Sequence, residues 1–162
     1  MSFIEHDKNN DKQNIKEDRS AMVNLSATWI NNKGAWVATI VFILCIRSYL
    51  GAIPGIGDAS WTITNVLYNL CSYILFHGVE GIPFDNHQGY QGAYDELTLW
   101  EQIDNETYNT PSRKFLFAIH IALFFLSTYY SRNHPFTFAF NVVVLCVVLI
   151  AKLPAMHRVR LF

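Results

Sequence analysis

Apolar residues in this chain fall into long blocks separated by polar segments, rather than recurring at the spacing of a half-buried strand or a one-faced helix. The block from Ala35 to Ile56 opens AWVATIVFILCI without a charge, reaches Arg47, and breaks at Pro54-Gly55. About 20 apolar residues at about 1.5 Å each cover a hydrocarbon core about 30 Å thick, so this block predicts a membrane span over 35–56. A second span is predicted over 59–79, with Thr62, Thr64, Asn65, Asn69 and Ser72 along it. Those polar groups need partners in lipid, so this helix should turn towards its neighbours. Two further runs, 115–131 and 135–151, are at the short end of the spanning range, and snorkelling by Lys114, Arg132 and Lys152 extends their reach.

The connections decide the topology. Arg132, Asn133 and His134 alone separate the last two runs, and Pro54 to Asp58 joins the first two. Connections this short force antiparallel hairpins. The predicted fold class is therefore an all-α membrane protein, with four transmembrane helices in two antiparallel hairpins. The N-terminal arm, the central loop and the C-terminal tail then share one side, where ten of the twelve Lys and Arg reside. The positive-inside rule makes that side cytoplasmic. Arg47, well inside the first span, is expected to snorkel to the far headgroups or pair with Asp58.

Between the spans the polar segments differ in character. Residues 1–23 mix charge with Asn and Gln and carry few large apolar side chains, which predicts a disordered cytoplasmic tail ahead of a membrane domain over 24–162. From Asn24 to Trp36, two tryptophans bracket a polar turn, as in a segment lying along the headgroups. In the central loop, Glu80 to Lys114, the stretch ELTLWEQIDNE sets Leu97, Trp100 and Ile103 three apart with acids between them. That spacing predicts a short amphipathic helix, interfacial or facing a partner.

Composition sharpens the class. Charged residues make up 15% of the chain, against about 25% in soluble domains, and 51% of residues are hydrophobic. The net charge of −1 carries no nucleic-acid footprint. Cys45, Cys71 and Cys146 each sit in an apolar stretch, without disulfide or metal spacing. The chain does not open on a basic segment followed at once by an apolar run, so no cleavable signal peptide is expected. Two glycosylation acceptors, at Asn24 and Asn105, fall on the cytoplasmic side and should stay unmodified.

Candidate chemistry is sparse. The six histidines show no H-x-x-x-H, H-x-x-H-H or H-E-x-x-H pairing, which disfavours a di-iron or zinc enzyme, and no metal or catalytic group is assigned. His77, Glu80, Asp85 and His87 bring acid and base types close together at the predicted cytoplasmic face, without a nucleophile. They define the alternative reading, a small lipid-modifying membrane enzyme. Ser2 and Ser20 are the hydroxyl residues of the tail and its candidate phosphorylation positions.

Several separated landmarks occur in order. They are Trp61-Thr62-Ile63-Thr64-Asn65, Phe76-His77, Gly81 with Pro83-Phe84, Tyr94-Asp95, and Trp100-Glu101-Gln102-Ile103-Asp104. Thr110-Pro111-Ser112-Arg113-Lys114-Phe115-Leu116, Lys152-Leu153-Pro154 and His157-Arg158-Val159-Arg160 follow. With them the chain from Asn24 to Phe162 resembles the Orm (ORMDL) family of endoplasmic-reticulum membrane proteins, in particular its fungal members. The resemblance implies a non-enzymatic regulator that binds serine palmitoyltransferase, its catalytic subunits and the associated small subunit, and restrains it when ceramide is plentiful. It implies no cofactor, with ceramide as a regulatory lipid ligand and membrane lipids around the spans; self-association is left open. Ser26 stands where the family usually carries the Asn that bonds the ceramide headgroup, and inherits that contact together with Asn24 and Trp36. The landmarks Trp61, Asn65, His77, Pro83, Phe84, Trp100, Glu101, Gln102, Arg113 and Lys114 are the implied partner-docking positions. The implied location is the endoplasmic-reticulum membrane, multi-pass, with both termini cytoplasmic.

Overall fold

The computed structural model of the chain describes residues 24–82, 94, 96–107, 109–131 and 134–156. The tail with Ser2 and Ser20, and Pro83, Phe84, Asp85 and His87, lie outside the described residues. Among those described, the architecture is all-helical, with no strand beyond one isolated antiparallel bridge between Glu80 and Thr98.

Helix α1, Leu25–Thr28, belongs to the arm, and a 3-10 turn at Trp29–Asn31 leads on to α2, Lys33–Ala52. Asn32 is extended and its side chain accepts from the Gly34 N–H, so α2 begins two residues before the predicted span. It also ends four residues early. Ile53 turns extended ahead of Pro54, as the residue before a proline must, and Gly55 takes a positive φ of 86° to complete the turn. Helix α3, Ser60–His77, closes at Gly78, where an added Cβ would stand 2.8 Å from the Ile74 carbonyl oxygen.

In the loop, α4 is short, Leu99–Gln102, and runs into a 3-10 turn at Ile103–Glu106. A capping box starts it: the Glu101 carboxylate accepts from the Thr98 N–H at 2.9 Å. Three successive left-handed residues, Asp104, Asn105 and Glu106, stop it, with φ of 53°, 51° and 65°. Helix α5, Pro111–Tyr130, starts four residues before the predicted run, because Thr110 caps it and Pro111 is preset for a first helical position. Helix α6, Pro135–Ala151, has the predicted bounds.

Helix α3 is central, packed against α2, α5 and α6, while α5 also packs on α6. Its buried face is polar, comprising Ser60, Thr64, Asn65, Asn69 and Ser72. Asn65 Nδ2 donates to Asn141 Oδ1 of α6 at 3.1 Å, and Asn141 Nδ2 donates to Ser127 Oγ of α5 at 2.8 Å. The outside is the reverse. Val37, Ile40, Val41, Phe42 and Leu44 of α2 are exposed, as are Phe136, Phe138, Phe140, Val143 and Val147 of α6. Apolar patches this extensive are rare on a molecule surrounded by water, whereas polar groups inside and apolar groups outside suit one surrounded by lipid. Helix α2 is long and apolar enough to cross a membrane by length and composition; α6 is apolar but shorter, at 17 residues.

Candidate functional site: a cap at one end of the bundle

Four helix ends meet beneath the arm and the loop. Trp36, opening α2, stacks on Phe115, near the start of α5, with ring centroids 4.5 Å apart. Phe76, closing α3, meets Trp100 of α4 edge to face at 5.9 Å. Lys152, just after α6, lies over both rings, its Nζ 4.7 Å from the Phe76 centroid and 4.4 Å from that of Trp100. The alternation of helix direction expected from short connections is thus present, with arm and loop packed at the same end.

Hydrogen bonds stitch the cap together. Asn24 caps α1 by accepting from the Ala27 N–H, and its Nδ2 donates 2.7 Å to Gln102 Oε1. Gln102 in turn donates through Nε2 to the carbonyls of Gly81 and Leu97, at 2.8 and 3.0 Å. Arg113 reaches back from α5 and donates through Nη2 to the carbonyls of Trp100, Glu101 and Ile103, holding the C-terminal end of α4. Trp36 Nε1 donates 2.6 Å to the Ile30 carbonyl, which fixes the turn between α1 and α2. On the flank of this cap a recess of about 430 Å³ is bounded by Asn31, Lys33 and Trp36 from the arm side and by Asp104, Thr110 and Ser112 from the loop side.

The sequence-predicted site residues fall into separate groups. Asn24, Trp36, His77, Trp100, Glu101, Gln102 and Arg113 converge on the cap, with Lys114 exposed beside them. Trp61 is at the opposite end, stacked on Tyr130 at 5.2 Å, and Asn65 is in the polar seam between. Ser26 lies on α1, but its side chain is outside the described residues.

Three expectations need correction. The stripe of Leu97, Trp100 and Ile103 does not face a membrane or partner: each is at most 4% exposed, and Trp100 and Ile103 belong to the apolar cluster with Ile30, Phe76 and Leu116. With that stripe inside the cap, the apolar side chain that α4 keeps half-exposed is Leu99. Lys152 does not snorkel; it is 1% exposed, because two aromatic faces take its ammonium inward. Of the two placements expected for Arg47, the pairing with Asp58 is the one corrected: its guanidinium lies over the Trp61 ring at 5.3 Å, and Gly51 leaves the room it occupies.

Sequence reasoning passed over Lys152, Phe76 and Asn141 as site residues. Burial, with Arg113 nearby, pushes the Lys152 ammonium down to about 7. Of the proposed enzymatic cluster, His77 packs its ring against Tyr73 and Trp100, and Glu80 is exposed. No group of three His, Cys, Asp or Glu that could hold a metal occurs among the described residues.

An all-helical bundle with a polar seam and an apolar exterior is the build of a helical membrane protein, here with a stitched cap at one end. The profile of the ORMDL family matches residues 24–160, and the chain belongs to that family. It is 44% identical over 146 residues to an uncharacterized protein of Schizosaccharomyces pombe, covering 90% of this chain and 77% of that one. Protein ORM1 of Saccharomyces cerevisiae is 41% identical over 148 residues, and this chain spans 65% of that relative's length. ORM1-like protein 3 of Homo sapiens is 38% identical over 141 residues, covering 86% of this chain and 91% of the human protein.

Proposed function

We propose that this chain is a non-catalytic regulatory subunit of serine palmitoyltransferase in the endoplasmic-reticulum membrane, with four spans and both termini cytoplasmic, restraining the enzyme when ceramide is plentiful. The observation that carries the reading is the seating of the arm. Asn24 uses both ends of its amide, one to start α1 and one to bind Gln102 in the loop, so the arm is held against the cap rather than left free. An arm so held can be offered to a partner at little further ordering cost, and a lipid that prefers the seated arm would shift the balance towards restraint. The recess beside Asn31, Trp36 and Ser112 is lined by polar groups suited to a small hydroxylated headgroup. Because Trp100, Glu101, Gln102 and Arg113 are buried, their contribution to docking is to hold the cap's shape.

Serine-dependent sphingoid-base synthesis in membranes, with and without added ceramide, tests this. Asn24→Ala, Ser26→Ala and removal of residues 1–33 should each raise basal synthesis and blunt the ceramide response. Unchanged synthesis and unchanged response in all three would overturn the assignment.

A further inference from the structure

A second recess, of about 320 Å³, opens beside the cap on the flank of α5 and α6, away from the arm. Trp100, Arg113, Lys114, Phe117, Ile121 and Lys152 line it. Its α5 wall has an order. Residues 113, 117 and 121 follow at one-turn intervals, as do 114 and 118, so one face of the helix runs from two cations at the cap to apolar side chains further along. Lys114 and Ile121 are exposed, and the wall is open to whatever surrounds the bundle.

Charge selects the occupant. Among the described residues, three basic side chains and no acidic one line the recess. The carboxylate of Glu101 accepts from the Thr98 N–H at the N-terminus of its own short helix, and counting it in full with Lys152 neutral, Arg113 and Lys114 still leave the recess one net positive charge. Lys152 Nζ has no hydrogen-bond acceptor among the described residues and lies over the faces of Phe76 and Trp100 instead. We propose that this recess is a binding site for one anionic phospholipid, its phosphate at Lys114 above the field of Arg113 and Lys152, and one acyl chain laid along Phe117, Ala118 and Ile121. A basic recess between helices at the membrane surface is the usual form of such a site, and an amphiphile matches both the charged and the apolar end of the wall. The inference needs the helices to lie in a bilayer, and it is independent of the synthase reading.

Native mass spectrometry of the full chain in detergent, given an equimolar mixture of phosphatidylcholine, phosphatidylserine and phosphatidylinositol, tests it. One anionic lipid should be retained per chain, at least about tenfold over phosphatidylcholine. Lys114→Glu, which inverts the exposed charge, and Ile121→Trp, which fills the acyl slot, should each cut retention about fivefold or more while leaving helicity and elution unchanged. Phe136→Ala, on the exposed face of α6, should leave it as it was. Retention of phosphatidylcholine equal to the anionic lipids, or both recess variants binding like the parent chain, would overturn the proposal. So would displacement of the lipid by millimolar inorganic phosphate, which would make phosphate alone the ligand.

Discussion

Lys152 follows an apolar run that ends at Ala151, a position from which a long cationic side chain ordinarily reaches out to water. It turns inward instead, because Trp100 and Phe76 present their faces within 5 Å of its ammonium. Each such contact contributes about 0.5–2 kcal/mol, less than burial of the charge costs, and Arg113 of α5 adds repulsion, so the ammonium is held down to about 7 from 10.5. Between those two pH values the unfolded chain carries a proton that the folded chain does not. Folded stability should therefore rise with pH across that window, by up to about 1.4 kcal/mol per pH unit, and the penalty is complete below it. Unfolding of the detergent-solubilised protein between neutral pH and pH 10 should show this rise, and Lys152→Met should flatten it. A slope of the same size in the Met variant would assign it to another group. The sequence carried Lys152 as a charge at the end of a run; its direction depends on aromatic rings 52 and 76 positions away, which no local pattern encodes.

At the level of elements, the apolar blocks predicted helix existence well and helix ends less well. Pro54 and Pro111 both displaced a boundary, the first by ending α2 early and the second by letting α5 start among charged residues. The polar face of α3 was legible, since Thr64, Asn65, Asn69 and Ser72 recur at helical spacing in an apolar block, and all four are buried. Its partner was not: Asn141 is a lone amide in α6 that completes a path from Asn65 through to Ser127 and Thr62. Asn141→Ala removes both bonds and leaves Asn65 and Ser127 short of partners, so it should destabilise the bundle by about 1–2 kcal/mol. Titration of unfolding in mixed detergent micelles measures that loss, and no change would mean that the seam is satisfied some other way. Helix α4 was read with the right stripe and the wrong facing, because periodicity identifies an apolar face without saying what covers it.

For the molecule as a whole, the arrangement of ends matters more than any one helix. One end is closed by the arm, α4 and the four helix ends; at the other, Trp61 stacks on Tyr130 and Arg47 lies over Trp61. Aromatic rings at both ends of an apolar waist are what two membrane interfaces favour. Cys45, Cys71 and Cys146 are exposed along that waist, near the middle of α2, α3 and α6. A membrane-impermeant maleimide should leave all three unlabelled in intact and in permeabilised membranes, and label them after denaturation. Rapid labelling of any of them in permeabilised membranes would place that helix in water.

The bond between Asn24 and Gln102 joins residues 78 positions apart. During synthesis the arm is made first and its anchor much later, so at roughly 5–20 residues per second the arm waits roughly 4–16 seconds without a seat. A nascent chain therefore holds no seated arm until its loop has emerged, and a truncated product lacking that loop never holds one. Seating of the arm is thus reserved for chains that have been made past Gln102, and a product cut short before it carries the arm without its anchor.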